Sequence, residues 1–311
     1  MLSGGLDSIL AAKILRNQGI KTTALSFESY FFNAKQAKKA AQNLKIPIKI
    51  IDFSKEHLEM VKNPRHGYGS SMNPCIDCHI LMLRTAKRFA KLTRNRNAKQ
   101  TRKKFYFVAT GEVLGQRPMS QNKNALNLIE KESGLRGYLL RPLSAKLLEP
   151  TVAEKEGLID RKKLFDISGR SRKRQIALAK KWRIRSYPTP AGGCLLTEAE
   201  FGKKLKDLFK ECPNCGKNDI ELLKVGRHFW FFGAKIIVGR NEKENTKIQK
   251  LARENDILVE LKKYPGPTTL IRHYKMKKNS LSVLGKAKYL TQFYSVKIRD
   301  KKNIGFNILH K

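Results

Sequence analysis

The chain holds 311 residues, with 65 lysines and arginines against 26 aspartates and glutamates, a formal net charge of +39. That length leaves room for two domains and a sizeable core. So large a positive excess is costly in isolation and points to a polyanionic partner, nucleic acid above all, because each neutralised phosphate releases counterions.

Residues 1–10 read as a tight turn at Ser3-Gly4-Gly5 that feeds directly into an amphipathic helix. Leu6, Ile9, Leu10 and Ile14 share one side of it, and Gly19 stops it. Glycines let the backbone approach an anion, and the positive end of the helix dipole adds to the attraction. Ser3 and Ser8 supply hydroxyls and Asp7 a carboxylate suited to Mg²⁺ or phosphate positioning. No lysine follows the glycines, so this is not the G-x-x-x-x-G-K-[ST] loop.

Residues 21–29 and 48–53 read as strands around a helix at 34–45, an alternation that predicts a parallel sheet covered by helices. Residues 105–110 resume the pattern as a buried strand ending at Gly111, and 139–143 form a further strand. Thr151 and Glu154 have the form of a capping box. Residues 171–182 read as a basic amphipathic helix with Ile176, Ala177 and Leu178 inward. Between these elements, residues 87–104 carry nine basic residues and no acidic one, with Lys103 and Lys104 as RNA-contact candidates. In open α/β sheets the ligand lies at the carboxyl ends of the strands, where the first loop and the segment after Thr110 both fall.

From about residue 201 the character changes. A polar helix at 203–210 leads to the turn Cys212-Pro213-Asn214-Cys215-Gly216. Two apolar runs, 229–232 and 235–238, are joined by Gly233, and Gly239-Arg240-Asn241-Glu242 precedes a helix at 244–254. The expected division is a parallel α/β domain over 1–205 and a smaller α+β domain over 206–311. From Arg272 onward there are eleven basic residues and one acidic one, Asp300, a balance suited to tracking a nucleic-acid backbone.

Five clustered cysteines, odd in number, argue against a disulfide framework. Cys75-Ile76-Asp77-Cys78 places two sulfurs on one turn, and Cys194 follows in a glycine-rich segment. Three thiolates suit a [4Fe–4S] cluster with one open iron, or persulfide and disulfide chemistry. Structural zinc completed by His79, or plain buried cysteine, stands beside these readings. Cys212 and Cys215 make half a zinc ribbon, with His228 as a third ligand or as a simple turn. No apolar run nears the roughly 20 residues of a membrane span, and no signal-peptide pattern opens the chain, so a cytoplasmic protein without a membrane partner is expected.

Ser3-Gly4-Gly5-Leu6-Asp7-Ser8 resembles the PP-loop of the ATP pyrophosphatases, which split ATP between its α- and β-phosphates. Asn73-Pro74-Cys75-x-x-Cys78 is similar to a segment of the tRNA 2-thiouridylases. Ala109–Gln116 with Arg141-Pro142-Leu143 resembles the nucleotide-binding face of the tRNA 4-thiouridine synthetase, and three such cysteines occur in cluster-bearing tRNA thiolases. The resemblance spans about residues 3–196. It implies an adenine nucleotide α-hydrolase-like fold with ATP and Mg²⁺ held by Ser3, Gly4, Gly5, Asp7, Ser8, Gly111 and Gln116. It further implies catalysis by Asp7, Cys75, Cys78 and Cys194, with the three cysteines as cluster ligands. The activity implied is ATP-dependent thiolation of a tRNA base, with a sulfur donor (sulfide, a cysteine desulfurase or a sulfur-carrier protein) and room for a homodimer.

A PP-loop follows a buried strand, and only Met1 and Leu2 precede this one, which bears on ATP turnover. Over about 220–272, Val225-Gly226-Arg227-His228-Phe229 and Gly239–Asn245 resemble the NFACT-R RNA-binding module, with Arg227, Arg240 and Asn241 facing RNA. Two rivals remain: an RNA-binding protein on a degenerate PP-loop scaffold, and a PP-loop ligase or amidotransferase of another substrate.

Overall fold

Apolar side chains at a helical period and short β-branched runs give alternating helices and strands in the first half. In the computed structural model, which describes residues 1–97, 106–188, 194–274 and 280–311, these are α1 (Leu6–Asn17), β1 (Ala24–Glu28), α2 (Lys35–Asn43) and β2 (Ile48–Asp52). There follow α3 (Ser54–Lys62), α4 (Cys75–Asn97), β3 (Val108–Ala109), α5 (Lys123–Ser133), β4 (Leu139–Leu140), α6 (Val152–Lys155) and α7 (Lys173–Lys181). The expected capping box opens α6, where the Glu154 carboxylate accepts from the Thr151 N–H at 2.8 Å and from its hydroxyl at 2.7 Å.

The strands form two parallel pairs, β1 with β2 and β3 with β4. Met1 and Leu2 bridge them: the Leu2 N–H donates to Leu25 O at 2.8 Å, and the Met1 amine donates to Ala109 O. The expected single sheet is therefore two ladders joined by a two-residue stub. Beside the stub lies a cavity of about 360 Å³. Its walls are the edges at 21–25 and 106–109, with Leu15 of α1 and Phe89 of α4 among the apolar side chains lining it. Helices thus cover both faces.

The helix over 171–182 forms, but its inward face differs from the expected one. Ile176 is 50% exposed and Ala177 is exposed, while Gln175 and Ala179 are buried. The apolar triplet Ile176-Ala177-Leu178 spans too much of the helical circumference for one contact face.

The chain divides after Thr197, because α8 (Ala199–Glu211), which spans the expected 205/206 boundary, packs with its successors. The second unit continues with α9 (Lys217–Leu223), β5 (Arg227–Phe231), β6 (Ala234–Val238), α10 (Glu242–Leu251) and β7 (Ile257–Leu261). It ends with β8 (Thr269–His273), α11 (Ser280–Phe293) and β9 (Phe306–His310). Its sheet is antiparallel, in the order β5-β6-β8-β7-β9. Val283, Ala287 and Leu290 of α11 pack with Ile236, Val259 and Ile271, while Leu222 and Ile248 pack with Ile237, Leu258 and Leu270. No helix among the described residues is long and apolar enough to cross a membrane.

Candidate active site

The turn ahead of α1 is closed on itself. Ser3 Oγ donates to Ser8 Oγ at 3.2 Å and accepts from the Gly5 N–H at 3.3 Å, while Ser8 Oγ donates to Gly5 O at 2.8 Å. Gly4 has φ of +84°, and a Cβ there would lie 2.4 Å from the backbone carbon of Gln36. Only glycine fits both demands. Gly111 is just as constrained, since its Cβ would lie 2.4 Å from Ser8 N. The segment after β3 thereby packs directly on the first turn of α1, as the order of motifs predicts.

Asp7 sits at the centre. Its Oδ2 accepts from Gln116 Nε2 at 2.9 Å, and Gln116 Oε1 accepts from Gln175 Nε2 at 3.2 Å. Asp7 Oδ1 and Gln175 Oε1 are buried and have no partner. A cation or an N–H donor beside the loop would complete both. Such an acceptor set fits Mg²⁺ accompanying a nucleotide phosphate, with Asp7 as the residue to hold it.

Behind the loop, Glu112 accepts from Arg141 Nε at 3.0 Å and from the Thr110 hydroxyl at 2.9 Å, and meets His79 Nδ1 at 2.9 Å. Burial pushes the Glu112 carboxyl up, but Arg141 and His79 together more than reverse this and hold it well below the usual carboxylate range. Arg141 also reaches Glu130 at 2.8 Å. This closed network carries the backbone on which Gly111 lies.

Cys75 and Cys78 occupy the first turn of α4, and Cys194 lies close enough for its charge to act on Cys78. Burial raises the Cys75 thiol, with Arg117 opposing. Burial raises Cys78 well above an ordinary thiol, with the charges of Cys194, Cys75 and Asp77 adding to it. Cys78 Sγ lies 3.3 Å from His57 Nε2. His57 is wholly buried against Phe31, Phe32 and Phe53, and burial lowers its pKa to about 4, so it is neutral at physiological pH. Its Nδ1 has no partner.

The expected cluster finds no support in this arrangement. Among the described residues no group of three or more His, Cys, Asp or Glu side chains is placed to hold a metal ion, Cys75, Cys78 and Cys194 included. Cys78 is engaged by His57, and His79, the alternative zinc ligand, is held by Glu112. Cys212 and Cys215 form a turn, with the Cys215 N–H donating to Cys212 O at 3.0 Å, and they make no metal group with His228.

In the second unit the Arg227 guanidinium lies over the Tyr294 ring at 4.4 Å. Arg240 is paired with Glu244 at 2.7 Å, and Asn241 caps α10, its Oδ1 accepting from the Glu244 N–H at 3.0 Å. Arg272, counted among the basic residues of the tail, is 1% exposed and bound to Asp256 and Asp219, so it is part of the core. Lys103 and Lys104 lie outside the described residues.

Sequence reasoning missed His57, Arg117 and Gln175, and met Glu112 and Arg141 only as members of motifs, not as two halves of one buried network. Glu112 stood inside the motif from Ala109 to Gln116 but was passed over for Gly111 and Gln116. His57 and Gln175 carry no local signal, because their partners are 21 and 59 residues away.

A glycine turn opens α1 on a parallel α/β unit, and Asp7 in the first turn keeps one oxygen unpaired. Residues 1–153 match the family model described as the tRNA methyl transferase HUP domain, and residues 226–310 match that of the NFACT protein RNA binding domain. The chain therefore joins a PP-loop HUP domain to an NFACT RNA-binding domain.

Curated relatives include the tRNA-specific 2-thiouridylases MnmA of Helicobacter acinonychis and Helicobacter pylori, each 32% identical over 91 residues, 26% of this chain. The chain spans about a quarter, 27%, of the length of these relatives. Among solved structures, a predicted subunit of tRNA methyltransferase from Methanocaldococcus jannaschii aligns at 17% identity and a TM-score of 0.33, over 60% of this chain and 88% of that one. The C-terminal part of the fibronectin/fibrinogen-binding protein of Streptococcus suis aligns at 13% identity and a TM-score of 0.25, over 82% and 83%.

Proposed function

We propose that the protein activates a carbonyl of a tRNA base with ATP and replaces its oxygen with sulfur carried on cysteine. One observation carries this reading: a PP-loop with an unsatisfied Asp7 carboxylate shares a unit with three thiols gathered around the start of α4. A ligase or amidotransferase would need the first feature but not the second. The Helicobacter thiouridylases and the RNA-binding domain support the same substrate class.

The base oxygen attacks the α-phosphorus of ATP, pyrophosphate leaves, and the carbonyl carbon acquires AMP as its leaving group. The turn amides at the start of α1 offset the phosphate charge, and Gln116 fixes the orientation of Asp7. Mg²⁺ held at Asp7 would supply further charge neutralisation there. Cys75 is the thiol of the pair that ionises more readily, because Arg117 opposes the effect of burial. A sulfane sulfur delivered to it by a persulfide donor attacks the activated carbon and expels AMP. Cys78 then attacks the inner sulfur, its proton passing to the sulfur of the departing base while the His57 Nε2–H donates to the attacking thiolate; the thiolated base leaves and a Cys75–Cys78 disulfide remains, which an external thiol reduces. Cys194 is the alternative resolving thiol.

The test is tRNA-dependent ATP–pyrophosphate exchange together with mass spectrometry of nucleosides after a reaction supplied with a persulfide donor. Exchange without a sulfur-containing nucleoside would favour a ligase. No exchange, with tRNA still bound, would favour an RNA-binding protein on an inactive scaffold.

A further inference from the structure

Between Asp166 and Glu198 the chain has no acidic residue, yet residues 170–185 contain Arg170, Arg172, Lys173, Arg174, Lys180, Lys181, Arg183 and Arg185. All of these but the half-buried Arg172 are exposed. Among the described contacts only Arg174 has an acidic partner, Asp166 at 2.6 Å. The first turn of α7 has no acid, so Lys173 stands unopposed at the positive end of the helix dipole. A cation there is unfavourable by itself. An external polyanion would offset it.

The buried side of the same helix leads to the phosphate loop. Ala179, with Leu178 and Trp182, joins the core cluster that contains Leu6, Leu10 and Ile14 of α1. Gln175, 0% exposed, donates to Gln116, which in turn holds Asp7. Gln175 Oε1 and Asp7 Oδ1 both lack a partner, so the chain of amides is complete only when the loop is loaded. Two hydrogen bonds and one packed interface thus link α7 to Asp7.

We propose that α7 is the face on which the first unit docks RNA phosphates, and that Gln175 couples this docking to the phosphate loop. The proposal rests on tRNA being the substrate, but its test needs neither adenylation nor sulfur transfer. A polynucleotide fits better than a small anion because the cations run from Arg170 to Arg185, beyond the first turn and past the end of the helix. By linkage, tRNA would tighten nucleotide binding by the same factor as nucleotide tightens tRNA binding.

The experiment measures binding of an unmodified tRNA transcript to the full chain over a salt series, with and without a non-hydrolysable ATP analogue and Mg²⁺. The exposed triple variant Lys180→Glu, Lys181→Glu, Arg183→Glu should bind tRNA at least about tenfold more weakly and flatten the log–log salt slope by about 2–3, near 0.7–0.9 for each lost phosphate contact. Gln175→Met should leave tRNA affinity without nucleotide unchanged while abolishing the mutual tightening. Circular dichroism checks that each variant is folded. Wild-type affinity in the triple variant would overturn the docking face. Retained coupling in the folded Gln175 variant would overturn the relay.

Discussion

In the second unit Arg272 is 1% exposed and spends its donors on Asp256, Asp219, Asn218 and Leu251 O, while Tyr274 donates to Asp219 at 2.8 Å. In the first unit Asp7, Gln175 and His57 each bury an atom with no partner, and all three lie around the phosphate loop or the thiols. The closed set is what a scaffold needs, since an unpaired buried charge is costly. The open set is what a ligand site needs, because the missing partner can arrive with the substrate. The pattern has crossings: Glu112 and Arg141 are a closed pair in the first unit, and His228 and Lys235 are open in the second. Burial brings Lys235 down to about 7, so this amine is half-neutral at physiological pH.

The contrast breaks first at Arg272. Arg272→Met leaves Asp256 and Asp219 buried without their cation, and the second unit should lose about 3–5 kcal/mol of stability. Each unit has one tryptophan, Trp182 and Trp230, so urea unfolding followed in a Trp182→Phe background reads the second unit alone. Asp7→Ala should behave in the opposite way. It removes a carboxylate with one unpaired oxygen and one hydrogen bond from Gln116, so the first unit should keep its stability to within about 1 kcal/mol, while pyrophosphate exchange falls roughly 10²–10³-fold. Equal destabilisation by both substitutions would dissolve the distinction between the two sets.

The sequence was most informative where chemistry is local. The Ser3–Ser8 turn, the Cys75-x-x-Cys78 spacing, the Thr151 capping box and the two apolar runs around Gly233 each lie within ten residues, and each took the expected form. What it could not convey depends on distant partners. That Cys78 meets a neutral imidazole follows from His57 reaching it across 21 residues. The inward face of α7 is decided by Gln116, which replaces an apolar contact with an amide. Arg272 reads as one more basic residue of the tail until Asp256 and Asp219 enclose it.

The two Cys-x-x-Cys pairs give the finest form of the same comparison. Cys75 and Cys78 open a helix, beside Arg117, His57 and Cys194; Cys212 ends one, and Cys215 is 2% exposed. Equal spacing thus gives unequal chemistry, because the first pair opens a helix beside charged and ring groups, whereas Cys212 closes one and Cys215 is buried. With a small methanethiosulfonate reagent at pH 7.5, Cys75 should label first and Cys78 several-fold more slowly, since its thiol is the more strongly raised, while Cys215 stays unlabelled in the folded chain. Peptide mass spectrometry over a time course reads all three. His57→Leu removes the ring nitrogen 3.3 Å from Cys78, so Cys78 labelling alone should slow further, by about 1 kcal/mol or roughly fivefold, the worth of one hydrogen bond. Because His57 stays neutral down to about pH 4, that ratio should hold across pH 6–8. A ratio that collapses within this window would mean that the ring titrates there, and that the aromatic surround does not hold it neutral.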